Sequence, residues 1–430
     1  MALLLDAHPP WLWLNGRLQE RNINLICVNL SLAITHAPLS VHSILFIYLT
    51  NMSAISEPRT RYVGRRRLPD PSTTATIRYD TDSLAESNNG STATLNTLSL
   101  LIESKWSMFH LRACPGRVAH IPWQSVGAGK TFTASTMALG DGSVVVLKRP
   151  RLLIEDSTLA STHEVDVYRS CLARSIMQEI RVLTHLPLRV HENIITLFGI
   201  GWESDAFDES LLWPVMTVEF AQHGNLAELV STKPVALPVK LGLLRDVARS
   251  LTALHACGIT HGDVKSANVL VCRTDDRSTG YIAKLSDFGF SVIDDDRGND
   301  EDESKVALRG ATWPWNPPEW RQLVPRTALV KSDIYSYGLL AMQVWEDGGD
   351  PFLQLPGVED VHVSARFEQI EMLKSTDALL AALTTRVRLL FKEDEPMTTL
   401  ATEVLKNSVQ AKSYLRDLSL ILNLLDSALM

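Results

Sequence analysis

Cysteine is scarce in this 430-residue chain: Cys27, Cys114, Cys171, Cys257 and Cys272 lie far apart, odd in number and without a C-x-x-C spacing. That argues against a disulfide framework and a cysteine-built zinc site, and fits a reducing interior. A basic excess is missing too. The 41 Lys and Arg residues face 49 Asp and Glu, a net charge of −8, unlike the clustered positive face of a dedicated nucleic-acid binder. A long uninterrupted apolar run is also lacking. Residues 23–50 come nearest, but Asn29, His36, Pro38 and His42 break the run, each at a cost in lipid. A membrane span is therefore the less favoured reading, beside a poorly structured extension or a start codon placed too far upstream. No basic segment precedes a short apolar core, and Asp6 stands where positive charge is expected, so a secretory signal is not indicated. No internal repeat is found.

What remains is an ordinary globular composition, 45% hydrophobic and 21% charged, with length for one large domain or two smaller ones plus tails. Residues 52–100 are rich in Ser, Thr and Asn and carry a basic patch, RYVGRRR, at 61–67. They read as a disordered tether with a solvated charge run, contact with acidic lipid or an import receptor being the alternative.

Within SVGAGKTFTAS (125–135) lies GAGKT. A Walker loop needs a Gly separated by four residues from its Gly-Lys pair, and Gln124 occupies that place. The other reading is a glycine turn between two strands, laid over nucleotide phosphates and followed by a strand bearing a Lys. GSVVVLKRP (142–150) is such a strand, β-branched and carrying Lys148. ARSIMQEIRVLTHL (173–186) places Ile176, Ile180 and Leu183 at helical spacing. ENIITLFGIGWE and LLWPVMTVEFA are two further strand candidates, the second ending in a turn at QHGN. KLGLLRDVARSLTALHACG (240–258) predicts a long helix with a Leu241, Leu244, Val247, Leu251, Leu254 stripe that stops at Gly258. VKSDIYSYGLLAMQVWEDGG (330–349) is apolar nearly all round, the mark of a buried helix. Strands first with one helix among them, then helices, is a two-lobed α+β order.

HGDVKSANVLV (261–271) and LSDFGFS (285–291) carry the chemistry. Two acids and an amide between apolar strands are costly to bury unless paired or coordinating a cation. The D-x-x-x-x-N and D-F-G spacings resemble the catalytic loop and metal-binding motif of the eukaryotic protein kinase family. The resemblance spans about 300 residues. The narrower likeness is to fungal kinase-like proteins of unassigned role.

The resemblance implies an α+β fold with a small β-rich N-lobe holding one regulatory helix and a larger helical C-lobe. Residues 1–104 are then an extension, and 105–430 the kinase domain, its N-lobe about 105–221 and its C-lobe about 222–430. ATP and Mg2+ are the implied cofactors, a protein the implied substrate, and the cytoplasm the implied location. Asp263 would orient the attacking hydroxyl, Lys265 would bind the γ-phosphate, and Asn268 and Asp287 would bind magnesium. Lys148 would neutralise the α- and β-phosphates, paired to Glu179, with Glu192 the weaker candidate. Gly127 and Gly129 would form the phosphate lid, leaving Lys130 incidental. Glu219 to Ala221 resemble the hinge whose backbone hydrogen-bonds adenine, with Val218 in the gatekeeper place behind it. WNPPE (315–319) resembles the A-P-E motif, and Asp333 would brace the catalytic loop.

Three departures accompany this resemblance. Phe132 stands at the third glycine of the lid and Ala134 at its following Val. Gly262 replaces the Arg of H-R-D beside an acidic run at 294–304, so loop phosphorylation is not expected to be a required switch. The Arg-Pro pair that anchors the A-P-E Glu is matched to Glu395 and Pro396, so Glu319 is expected without its partner. Lys265 and Thr312, seven residues before Glu319, point to the serine/threonine branch. The readings are thus an active serine/threonine kinase, a pseudokinase acting as a nucleotide-gated binding module, or, if 23–50 spans a membrane, a tethered receptor kinase.

Overall fold

The structure, a computed structural model, describes residues 77–79, 124–128, 131–139, 141–151, 162–204, 212–293, 305–353, 355, 358 and 363–430. Within the stretch read as a tether, β1 (Ile77–Tyr79) is a short strand. Next come β2 (Gln124–Ala128), β3 (Phe132–Ala138) and β4 (Val144–Pro150), then α1 (Thr162–Leu183), α2 (Leu186–Arg189), β5 (Leu197–Ser204) and β6 (Leu212–Glu219). The five longer strands make an antiparallel sheet in the order β2-β3-β4-β6-β5.

Alternation along β4 explains how that sheet serves two layers. Val145 and Leu147 are buried in a small cluster with Met137 and Val215. Lys148, two residues from Val146, is left for the opposite face. The α1 helix starts eleven residues before the stretch that the sequence marks, because its apolar stripe runs back at four-residue steps from Ile176 through Leu172 to Tyr168. Ile176, Ile180 and Leu183 are all buried, as expected.

The larger lobe follows: α3 (Leu226–Thr232), α4 (Leu237–Ala256), β7 (Ile259–Thr260), β8 (Val269–Arg273), β9 (Tyr281–Leu285), β10 (Val292–Ile293), β11 (Lys305–Val306), β12 (Gly310–Thr312) and β13 (Val324–Pro325). Five helices complete it among the described residues: α5 (Arg326–Trp345), α6 (Val363–Lys374), α7 (Ala378–Leu390), α8 (Glu395–Lys406) and α9 (Leu418–Ala428). The leucine stripe of α4 is buried as the spacing predicts, and Gly258 takes the positive φ of +68° that ends the helix. Burial of α5 extends around its circumference from Ser332 to Met342. The antiparallel hairpin β8-β9 and the short ladder β7-β10 place the two motif loops side by side. Strand β1 pairs antiparallel with β12, Ile77 opposite Thr312.

This is the two-lobed α+β architecture that the resemblance implies. Among the described residues no helix is long and apolar enough to cross a membrane. Residues 23–50, the boundary at 104/105, Gly129, Lys130 and the acidic run 294–304 lie outside the described residues.

Candidate active site

Asp333, near the start of buried α5, organises the loop between β7 and β8. Its carboxylate accepts from the His261 N–H at 2.8 Å and the Gly262 N–H at 2.9 Å, and lies 2.9 Å from His255 Nε2. Two successive amides aimed at one carboxylate bend the chain sharply, and Gly262 meets that bend with φ +81°. A Cβ there would also come within 2.8 Å of the Phe290 carbonyl oxygen. The glycine thus does more than remove a charge: the backbone at this point favours it.

Asp263 follows, buried at 5% exposure. Its Oδ2 accepts from Lys265 Nζ at 2.6 Å and Asn268 Nδ2 at 3.0 Å, and its Oδ1 from the Thr312 N–H at 3.1 Å. Lys265 Nζ also donates to Thr312 Oγ1 at 2.7 Å. Burial alone would push the carboxyl up, but the Lys265 ammonium, the hydrogen bonds from Lys265 and Thr312, and His261 outweigh it and hold Asp263 below the usual carboxylate range. An acid so readily ionised is a poor proton store and a good fixed acceptor.

Across the cleft, Lys148 is bonded to Glu179 on α1, and Glu179 is fully buried. Burial would lower the Lys148 ammonium, yet Glu179 and Asp287 together hold it above the ordinary lysine value. For Glu179, burial and Asp287 push upward against the pull of Lys148. The Lys148 ammonium stays charged, because the negative charge of both carboxylates favours its protonated form. Glu192 is not the partner: half exposed, it lies 3.6 Å from Arg277 and 3.9 Å from Arg249.

Asp287 sits at φ +64°, an uncommon conformation for a residue with a side chain, and Phe288 behind it is fully buried. The Phe288 ring lies 5.1 Å from that of His261. Leu183 shares this core, as its spacing from Glu179 suggests. Asn268 spends its Nδ2 on the Asp263 carboxylate and carbonyl, leaving the amide oxygen as its acceptor. The Asn268 amide oxygen and the Asp287 carboxylate are hard oxygen donors of the kind magnesium takes, and on the resemblance they would be the residues to hold it. Among the described residues no group of three acidic, His or Cys side chains could cage a metal alone.

The lid is a β2-β3 hairpin with Gly127 opposite Ala134. Phe132 does not project from the tip into solvent. It is buried at 6% exposure, its ring centroid 4.6 Å from Lys148 Nζ. The stretch that resembles a hinge begins where β6 ends, with Val218 buried between Val146 and Leu197. The Glu219 N–H donates to the Thr196 carbonyl at 3.0 Å, and its carboxylate holds Lys284 at 2.8 Å. Glu219 is thus tied into the fold by its own groups, and Ala221 follows it on the open stretch before α3.

One expectation is overturned. Glu319 does have its partner: Arg416 binds both its oxygens, at 2.5 and 3.0 Å, with the guanidinium fully buried. Glu395 instead opens α8 behind the Asp394 cap. Sequence reasoning missed Arg416 because it stands in KSYLRDL without the following Pro, 97 residues from Glu319. Its signal is physical and appears only in three dimensions, namely a buried carboxylate that needs a cation.

The comparisons agree with this geometry. A family model described as protein tyrosine and serine/threonine kinase matches residues 164–396. Calmodulin-binding receptor-like cytoplasmic kinase 2 of Arabidopsis thaliana is 25% identical over 51% of this chain and 47% of its own length. Serine/threonine-protein kinase PAK 4 of Homo sapiens is 24% identical over 70% of this chain and 47% of its own. Ephrin type-A receptor 5 of Gallus gallus is 29% identical over 38% and 15%. The chain thus spans less than half the length of each of these relatives. With its family model matched across more than half of its residues and its two lobes in place, the chain belongs to the protein tyrosine and serine/threonine kinase family.

Proposed function

We propose that this protein is an active kinase of the 105–430 region, transferring the γ-phosphate of ATP to serine or threonine hydroxyls of a protein substrate. The observation that carries it is the Asp263, Lys265 and Thr312 cluster. Asp263 is ionised, fixed from both oxygens, and able to orient a substrate hydroxyl at its carboxylate. Lys265 lies beside it, ready to meet a transferring phosphoryl group. Lys148, held charged by Glu179, would take the α- and β-phosphates, and Asn268 and Asp287 would hold magnesium, which when bound neutralises charge developing on the phosphates. The Ala221 backbone with the Glu219 carbonyl would receive adenine, and Gly127 and Gly129 would cover the phosphates. The choice of serine and threonine rests on Lys265 and Thr312. The net charge of −8 fits a protein partner rather than nucleic acid, and the cysteine usage fits a cytoplasmic location.

The test is phosphoryl transfer from labelled ATP with magnesium to a generic protein acceptor. Asp263→Asn should abolish turnover and leave nucleotide affinity nearly unchanged, whereas Asp287→Asn should weaken both. Full activity in either variant would sink the reading. A second reading has one specific observation behind it: Phe132 packs on Lys148 where phosphate must sit, as suits a protein that binds nucleotide weakly and acts as a scaffold. Nucleotide binding without turnover in the unaltered chain would select it.

A further inference from the structure

The α1 helix is fastened to the rest of the site by more than the Lys148 pair. One residue before Glu179, Gln178 is fully buried and donates through Nε2 to the Ser291 carbonyl at 2.9 Å, crossing 113 residues of sequence. Ser291, also fully buried, donates through Oγ to the His261 carbonyl at 3.3 Å. His261 is the residue whose N–H Asp333 holds. A Cβ added at Gly289 would fall 2.1 Å from Ser175 Oγ, so α1 lies directly against the D-F-G turn one helical turn earlier. The contacts run from α1 through the segment after Asp287 to the catalytic loop.

We propose that Gln178 is a positioning residue: with Ser291 it forms an uncharged clasp that holds α1, and so Glu179, in its paired place without any phosphate on the activation segment. This rests on the kinase reading and deepens it. A regulatory phosphate needs a cation to receive it, and Gly262 supplies none in the catalytic loop. Burial shields the amide-to-carbonyl bond from water, so it holds the helix without a change of charge state. The Gln178 oxygen meanwhile receives Arg181 Nη1 at 3.3 Å, which fixes which end of the amide faces Ser291. Gln178 touches neither Lys148 nor Asp263 in these contacts, so its effect on turnover passes through Glu179.

Gln178→Met keeps the length of the side chain and removes the donor. In the full-length protein kcat is expected to fall about tenfold, the ~1.4 kcal/mol of one buried hydrogen bond, with KM for ATP changed by less than about threefold. Hydrogen exchange gives a readout that needs no turnover. Amides of residues 172–183 should exchange several times faster in Gln178→Met, while those of α4 keep the rate of the unaltered protein. Ser291→Ala, which keeps the accepting carbonyl and loses only the link to His261, should show a smaller change in the same direction, and it serves if Gln178→Met does not fold. Unchanged kcat and unchanged exchange in α1 for both variants would overturn the clasp. So would loss of most activity when the unaltered protein is treated with phosphatase. Faster exchange in α1 of a protein that never transfers phosphate would keep the clasp and discard the kinase reading.

Discussion

Phe132 illustrates how one residue can set a binding constant from within the fold. Its ring lies 4.6 Å from the Lys148 ammonium, a contact worth about 1 kcal/mol when partly desolvated. On the proposed function, phosphate oxygens would need the same ammonium, and the ring would have to turn aside for them. Phe132→Gly is expected to lower KM for ATP roughly fivefold and to leave competition by adenosine unchanged, since the hinge is untouched. An equal gain for adenosine would mean that the lid had loosened as a whole. Lys374 is a second case. Fully buried, it donates to the Asn316 carbonyl and side chain, both at 3.0 Å, and to Glu371 at 3.2 Å. Burial lowers its pKa to about 8 despite the pull of Glu371. Between that value and the ordinary 10.5 the unfolded chain holds the extra proton, so this group makes stability rise with pH across the window, by on the order of 1–3 kcal/mol. Denaturant midpoints at both ends of the window, read against Lys374→Met, should show the rise in the unaltered protein alone.

At the scale of elements, α5 shows packing overruling propensity. Gly338 lies in the middle of this helix, where Ala is better by about 1 kcal/mol. A Cβ there, however, would meet Ser408 Oγ at 2.2 Å and Val409 Cγ2 at 2.6 Å, both on buried residues after α8. Overpacking of that kind costs about 1–3 kcal/mol. Gly338→Ala is therefore expected to lower stability by about 1 kcal/mol, measured by urea unfolding, and a stabilised variant would show that the segment after α8 yields. The sequence made α4 and the later part of α1 legible because each repeats an apolar stripe, α5 because it is apolar nearly all round, and the strands because β-branched runs end at turn residues. The D-x-x-x-x-N and D-F-G loops were legible because their residue types are costly to bury without chemistry to perform. Arg416, the inward turn of Phe132, the Gln178 clasp and the pairing of β1 with β12 were not. Arg416, the clasp and the β1-β12 pair join segments far apart in sequence, and the turn of the Phe132 ring depends on side-chain packing; neither periodicity nor spacing encodes either.

For the whole molecule, the Glu319 to Arg416 pair decides whether the larger lobe holds. The guanidinium is satisfied on every side: it also donates to the carbonyls of Gln410 at 2.9 Å and Lys331 at 3.0 Å, and it lies 4.8 Å from the Tyr335 ring. Removing one member of such a pair leaves a buried charge uncompensated, which costs about 3–5 kcal/mol. Arg416→Ala should lose that much on unfolding, and Arg416→Lys should recover only part, since an ammonium cannot bind two oxygens in parallel. The pair also imposes an order in time. During synthesis Glu319 is made 97 residues before the arginine that neutralises it, an interval of roughly 5–20 s at ordinary elongation rates. Throughout that interval the chain holds a carboxylate that its own fold would bury with no cation to meet it. Until Arg416 is made, the loop that bears Glu319 has reason to stay in water, so the lobe that carries Asp263 is closed by a residue that lies 97 positions further along the chain.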